Sequence, residues 1–75
     1  MKELVEVIAK ALVDRPEEVR VTEEEREDAI VLKLSVAETD MGRVIGKGGR
    51  IAKSIRAVLR AASARQSKHI ILDID

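Results

Sequence analysis

The sequence predicts an α+β domain: a two-layer α/β sandwich with a three-stranded sheet, helices on one face, and the element order α-β-β-α-α-β. Three observations carry this expectation. Apolar residues recur at helical spacing near the N-terminus and again beyond residue 50; they alternate with polar ones in three other stretches; and Pro16 and a cluster of glycines punctuate the changes of pattern. Apolar faces on three helices and three strands can be buried together only if the helices cover one side of the sheet. At 75 residues the chain is a single domain, residues 1–75, of a size at which only about 60% of the unfolded surface is buried.

Each element has its own signal. Leu4, Val5, Ile8, Ala9 and Leu12 define an amphipathic helix over 2–14, which Pro16 cannot continue. Val19 and Val21 alternate with Glu18, Arg20 and Thr22; after the polar stretch Glu23–Asp28 the alternation resumes at Ile30, Leu32, Leu34 and Val36. Two strands joined by an acidic hairpin are expected. Thr39 or Asp40 is placed to cap a short helix from about Met41 to Ile45, which the glycines end. A longer helix runs from Gly49 or Arg50 to about Arg65, with Ile51, Ile55, Val58, Leu59 and Ala62 on one side and Lys53, Arg56 and Arg60 on the other. Ile70, Leu72 and Ile74 alternate with His69, Ile71 and Asp73 in a final strand. The helical crossover before that strand allows a mixed sheet.

Composition removes several classes of function. With no Cys there is no disulfide framework, no Cys-built zinc site and no thiol nucleophile, and one His leaves little for metal ligation. No cofactor is implied. No acid pair has the setting of a general acid and base, and His69, with no second histidine nearby, reads as structural. No apolar run approaches the roughly 18 residues that span a bilayer, and charges interrupt the N-terminal apolar pattern, so a cytoplasmic protein without membrane association is expected. The missing Phe, Tyr, Trp and Asn suit either a heat-tolerant organism or an engineered, reduced alphabet.

Net charge is zero, but the charges are segregated. Residues 1–38 hold 11 acids and 6 bases, whereas residues 39–75 hold 3 acids and 8 bases. All eight of those bases lie between Met41 and Lys68, a stretch without a single Asp or Glu. Such asymmetry points to an anionic partner.

Within that stretch lies Val44-Ile45-Gly46-Lys47-Gly48-Gly49. It is not a nucleotide loop. A G-x-x-x-x-G-K-[ST] pattern ending at Gly46-Lys47 would need Gly at 41, which is Met, and a hydroxyl at 48, which is Gly. A G-x-G-x-x-G pattern from Gly46 would need Gly at 51, which is Ile, and would follow a strand. What remains is a G-x-x-G loop between two helices. Its glycines leave no Cβ to hold a sugar-phosphate backbone away, Lys47 adds charge, and the next helix turns its unpaired N–H groups toward the same place.

The stretch VIGKGGRIAKSIR resembles the V-I-G-x-x-G-x-x-I signature of the KH domain, matching at Val44, Ile45, Gly46 and Gly49, with apolar residues at Ile51 and Ile55 and Ala at position 52. The element order is that of the type II KH fold, so the resemblance covers the whole chain. It implies single-stranded RNA or single-stranded DNA as ligand, with the loop clamping about four nucleotides. Gly46, Lys47, Gly48 and Gly49 would contact the backbone, Arg43, Arg50, Lys53 and Arg56 would add phosphate contacts, and Ile45, Ile51, Leu34 and Val36 would either line the base groove, between the two loop helices and the second strand, or belong to the core. More narrowly the chain is similar to the small bacterial stand-alone KH proteins of the KhpA or YlqC family. That likeness implies a cytoplasmic post-transcriptional regulator or RNA chaperone, forming a homodimer or a heterodimer with a KhpB/Jag-like KH protein. Two other readings stand beside it: a protein-interaction or dimerisation module built on the KH frame, with Val31 and Ile71 exposed on the outer sheet face, and a designed reduced-alphabet KH scaffold.

Overall fold

The computed structural model describes residues 1–65 and 68–75. The expected order is found: α1 (Lys2–Leu12), β1 (Arg20–Glu25), β2 (Ala29–Ser35), α2 (Met41–Ile45), α3 (Arg50–Ala62) and β3 (His69–Ile74), with single 3₁₀ turns at Pro16–Glu18, Glu38–Asp40 and Lys47–Gly49. The sheet is mixed, in the order β1-β2-β3. β1 runs antiparallel to β2, with Val21 opposite Leu34, and β2 runs parallel to β3, with Leu32 opposite Leu72. A parallel pair cannot be joined by a hairpin, so the chain crosses over through α2 and α3.

The core lies between sheet and helices. Leu32, at the middle of the central strand, is fully enclosed, together with Val5 and Ala9 of α1, Val44 of α2, and Ile55 and Leu59 of α3. β1 extends into the acidic stretch, so Glu23–Glu25 are strand residues and the hairpin turn is confined to 26–28, closed by the Arg26 N–H donating to the Ala29 carbonyl at 2.7 Å. The cross-strand partner, not side-chain polarity, decides this: β2 is long enough to pair all of β1.

Three expectations are corrected. α1 stops at Leu12 and α3 at Ala62, each at the last residue of its periodic pattern and short of the expected ends at 14 and 65. At the end of α3 the Ser63 hydroxyl donates back to the Arg60 carbonyl, an alternative to another helical turn. α3 is also rotated relative to the expected face: Ala52, Ile55, Leu59 and Ser63 are buried, whereas Ala62 is exposed, Val58 is 46% exposed and Ile51 only half-buried. Small residues at 52 and 63 let the helix settle closely on the sheet along that line. Finally, Val31 is 4% exposed and so cannot belong to an open apolar patch, although Ile71 beside it is 43% exposed.

Asp40 does not cap α2 with its side chain. Its carboxylate is buried and accepts the backbone N–H groups of Asp14 and Arg15, both at 3.1 Å, tying the link after α1 to the start of α2. Arg43, one turn on, faces the same carboxylate at 3.5 Å. Asp40→Ala leaves two backbone donors without their acceptor and Arg43 with Asp14 alone, and lowers unfolding free energy by about 2 kcal/mol in urea titrations; Asp40→Asn, which keeps one acceptor oxygen, loses less.

Candidate nucleic-acid interface

The loop between α2 and α3 is built on positive φ. Gly46 has φ 75° and ψ 169°, a region open in practice to glycine alone, and Gly48 and Gly49 are left-handed, with φ 65° and 78°. The three have different reasons to be glycine. A Cβ on Gly46 would lie 2.6 Å from Cγ1 of Ile51 and 2.9 Å from its backbone nitrogen, whereas one on Gly48 or Gly49 would meet nothing within 4 Å. Ile51 therefore folds back over Gly46 and locks the turn. The outer glycines leave the main chain accessible instead. Short backbone bonds hold the shape: the Gly46 N–H donates to the Gly42 carbonyl at 2.9 Å and the Gly49 N–H to the Gly46 carbonyl at 3.0 Å. The N-terminus of the 13-residue α3 follows directly, with its partial positive charge toward the loop.

The basic residues divide into two groups. Arg43 is engaged by Asp14 at 3.0 Å and by Asp40. Arg56 donates to the Leu72 carbonyl at 3.1 Å and so pins α3 to β3. Lys68 holds Glu25 at 2.8 Å; this hydrogen bond, and then the ammonium charge, keep the Glu25 carboxyl below its ordinary value of 4.5. By contrast, the side chains of Lys47, Arg50, Lys53 and Arg60 are exposed and make no ion pair or hydrogen bond among the described residues. Lys47 and Arg50 belong to the loop and its exit, and Lys53 and Arg60 continue along one side of α3.

The expected base groove is resolved differently. Leu34, at 1% exposure, and Val36, at 9%, are core residues. Both side chains join the core cluster with Val5, Val44 and Ile55 of the covering helices, Leu34 from β2 and Val36 from just beyond its end. Ile45 and Ile51 are half-buried and pack against the core from outside. Ile51 lines a cleft of about 330 Å³ between α1 and α3, with Ile8, Leu12, Ile55 and Val58. At about 100° per residue, this cleft lies on the opposite side of α3 from Lys53 and Arg60. The strand beside the cationic side is β3, reached by Arg56.

Among the described residues there is no group of three or more His, Cys, Asp or Glu able to hold a metal, and no helix long and apolar enough to cross a membrane. For the loop, Gly46→Ala should cost about 2–5 kcal/mol, because it combines a forbidden φ/ψ with a clash against Ile51. Gly48→Ala, into open space, should cost about 1–2 kcal/mol; paired urea denaturation curves read the difference.

Comparison with known proteins gives one consistent answer. The family model described as "KhpA/KhpB, KH domain" matches residues 2–74. Proteins named "RNA-binding protein KhpA" from Clostridium perfringens and Clostridium acetobutylicum are 55% and 54% identical over 74 residues, covering 99% of both chains in each case. One of the same name from Aquifex aeolicus is 45% identical, over 99% of this chain and 94% of that protein. No solved structure gives a significant match. With the family model spanning nearly every residue and relatives matched end to end, the chain belongs to the KhpA/KhpB family of KH domains, which is not a family of enzymes.

Proposed function

We propose that the chain binds single-stranded RNA in the bacterial cytoplasm by clamping the sugar-phosphate backbone in the Gly46–Gly49 loop, and so acts as a post-transcriptional regulator or RNA chaperone. The observation that carries this reading is the division of labour among the loop glycines: Gly46 is sterically locked, while Lys47, Gly48 and Gly49 present main chain and charge to open space. Lys47, Arg50 and Lys53 supply the phosphate contacts, with Arg43 and Arg56 beside them in structural roles. Bases lie along the cationic side of α3 toward the edge of β3. Contacts to phosphate carry no sequence information and read no 2′-hydroxyl, so single-stranded DNA binds by the same clamp.

The decisive variant is Lys47→Asp with Gly48→Asp. Both positions have room, and Asp tolerates the left-handed conformation of Gly48 better than most residues, so the fold is retained. Titration of a labelled RNA library should show binding reduced at least tenfold. Wild-type affinity should fall with salt at a log–log slope of about −2, as three phosphate contacts on a single strand require. Equal binding by variant and wild type, or indifference to salt, would sink the proposal.

A second reading concerns assembly. Val58 stands 46% exposed at the rim of the apolar cleft between α1 and α3. This cleft replaces the outer sheet face as the surface for self-association, or for pairing with a KhpB/Jag-like KH protein. Mass in solution should be that of a dimer at high concentration, and Val58→Asp should return it to a monomer with unchanged circular dichroism. A wild-type chain that stays monomeric at every concentration rules out the homodimer.

A further inference from the structure

A second cavity, of about 580 Å³, lies at the other end of α3 from the glycine loop, between that helix, the β1–β2 turn and the start of β3. This is within the usual size of a small-ligand site. Its lining includes Arg60, Ser63, Asp28, His69, Ile70 and Ile71. His69 is exposed, and in a chain without Phe, Tyr or Trp its imidazole is the only aromatic ring. The walls are well held: the His69 N–H donates to the Asp28 carbonyl at 3.1 Å, the Ser63 hydroxyl to the Arg60 carbonyl at 3.2 Å, and Lys68 is fixed by Glu25. Arg60 is the unpaired cation at its rim, and Asp28 offers an exposed carboxylate.

We infer that this cavity is a nucleobase site for the strand that leaves the glycine-loop clamp, with the base stacked on His69, an exocyclic amino group donating to Asp28, and the neighbouring phosphate on Arg60. The inference rests on the clamp reading above and extends it. Each group has the chemistry required: imidazole rings stack on bases, aspartate accepts from the cytosine amino group, and arginine pairs with phosphate. The path is supplied by Lys53 and Arg60 on one side of α3. From Arg50 to Arg60 the helix rises about 15 Å, or roughly four nucleotides at a stacked spacing of about 3.4 Å. A strand of four nucleotides is therefore used up by the clamp, whereas a strand of eight can fill the cavity.

Fluorescence anisotropy with labelled cytosine-containing single strands of four and eight nucleotides tests this. His69→Ala should weaken the eight-nucleotide strand at least about fivefold, as loss of one stacked base requires, and leave the four-nucleotide strand unchanged; His69→Phe should restore the longer strand. The longer strand alone should also shift the amide resonances of Asp28, Ala29 and His69 in the wild-type protein. The inference is overturned if His69→Ala affects both lengths alike or neither, if His69→Phe fails to rescue, or if those amides do not move. Failure of the clamp reading looks different: Lys47→Asp, Gly48→Asp would then bind both lengths like wild type, whatever the His69 variants do.

Discussion

A single buried carboxylate holds the domain's two halves in register. Asp40 collects the N–H groups of Asp14 and Arg15, from the link that follows α1, while its own backbone forms the entrance to α2. Without that tie the N-terminal helix and the link after it would be joined to α2 only through aliphatic packing, which is adaptable in register, and the solvent-exposed Arg43–Asp14 ion pair. Directional bonds from one residue to two consecutive peptide groups are not. They fix where the five-residue α2 begins, and Gly46 ends it, so together they set where the glycine loop is presented. Arg43 completes the arrangement by bridging Asp40 and Asp14, so a cation from the basic segment serves the scaffold rather than a ligand.

The same distinction runs through the whole electrostatic pattern. Five of the eleven acids of the first half lie on β1 and its turn, and the unpaired bases named above lie on the loop and on α3. Lys68 and Glu25 join the two regions at one point. An anionic strand approaching this surface is attracted first to the loop and α3, which orients it before any contact is made. Net neutrality and a directional surface field are therefore compatible in one small chain.

Element order and the loop were legible in the sequence because both rest on local rules: apolar period, turn residues and the steric freedom of glycine. What was not legible depends on distant partners. Alternation shows which residues face the helices, Leu34 and Val36 among them, but strand neighbours are chosen by topology, so the central place of β2 and the burial of Val31 on its other face required the fold. The rotation of α3 was hidden for a different reason. Ile51 and Val58 look more like core than Ala52 and Ser63, yet close approach to the sheet favours the small residues, and the larger ones are displaced toward α1. Asp40 was visible as a polar residue before a helix; that its carboxylate reaches back 25 and 26 residues was not. In the candidate site, sequence identified Gly46 and Lys47 correctly as parts of one loop, but could not separate bases bound to the scaffold, such as Arg56, from those left open, such as Lys53.

The rotated helix links stability to assembly and ligand affinity. On the proposed reading, three open cations around one loop make few phosphate contacts, and without Phe, Tyr or Trp there is no large stacking platform, so a single domain would grip weakly at physiological salt. Two such domains on one strand behave differently, because the second binding event becomes intramolecular and apparent affinity rises by orders of magnitude with no new contact. The stripe of Ile51 and Val58 lies on the side of α3 away from the cations, so joining two copies through it leaves both glycine loops uncovered. A helix turned to bury its most apolar face against its own sheet would give up that option. The geometry of α3 thus leaves apolar surface outside the core, on the side away from Lys53 and Arg60, where the proposed pairing would not compete with the proposed ligand.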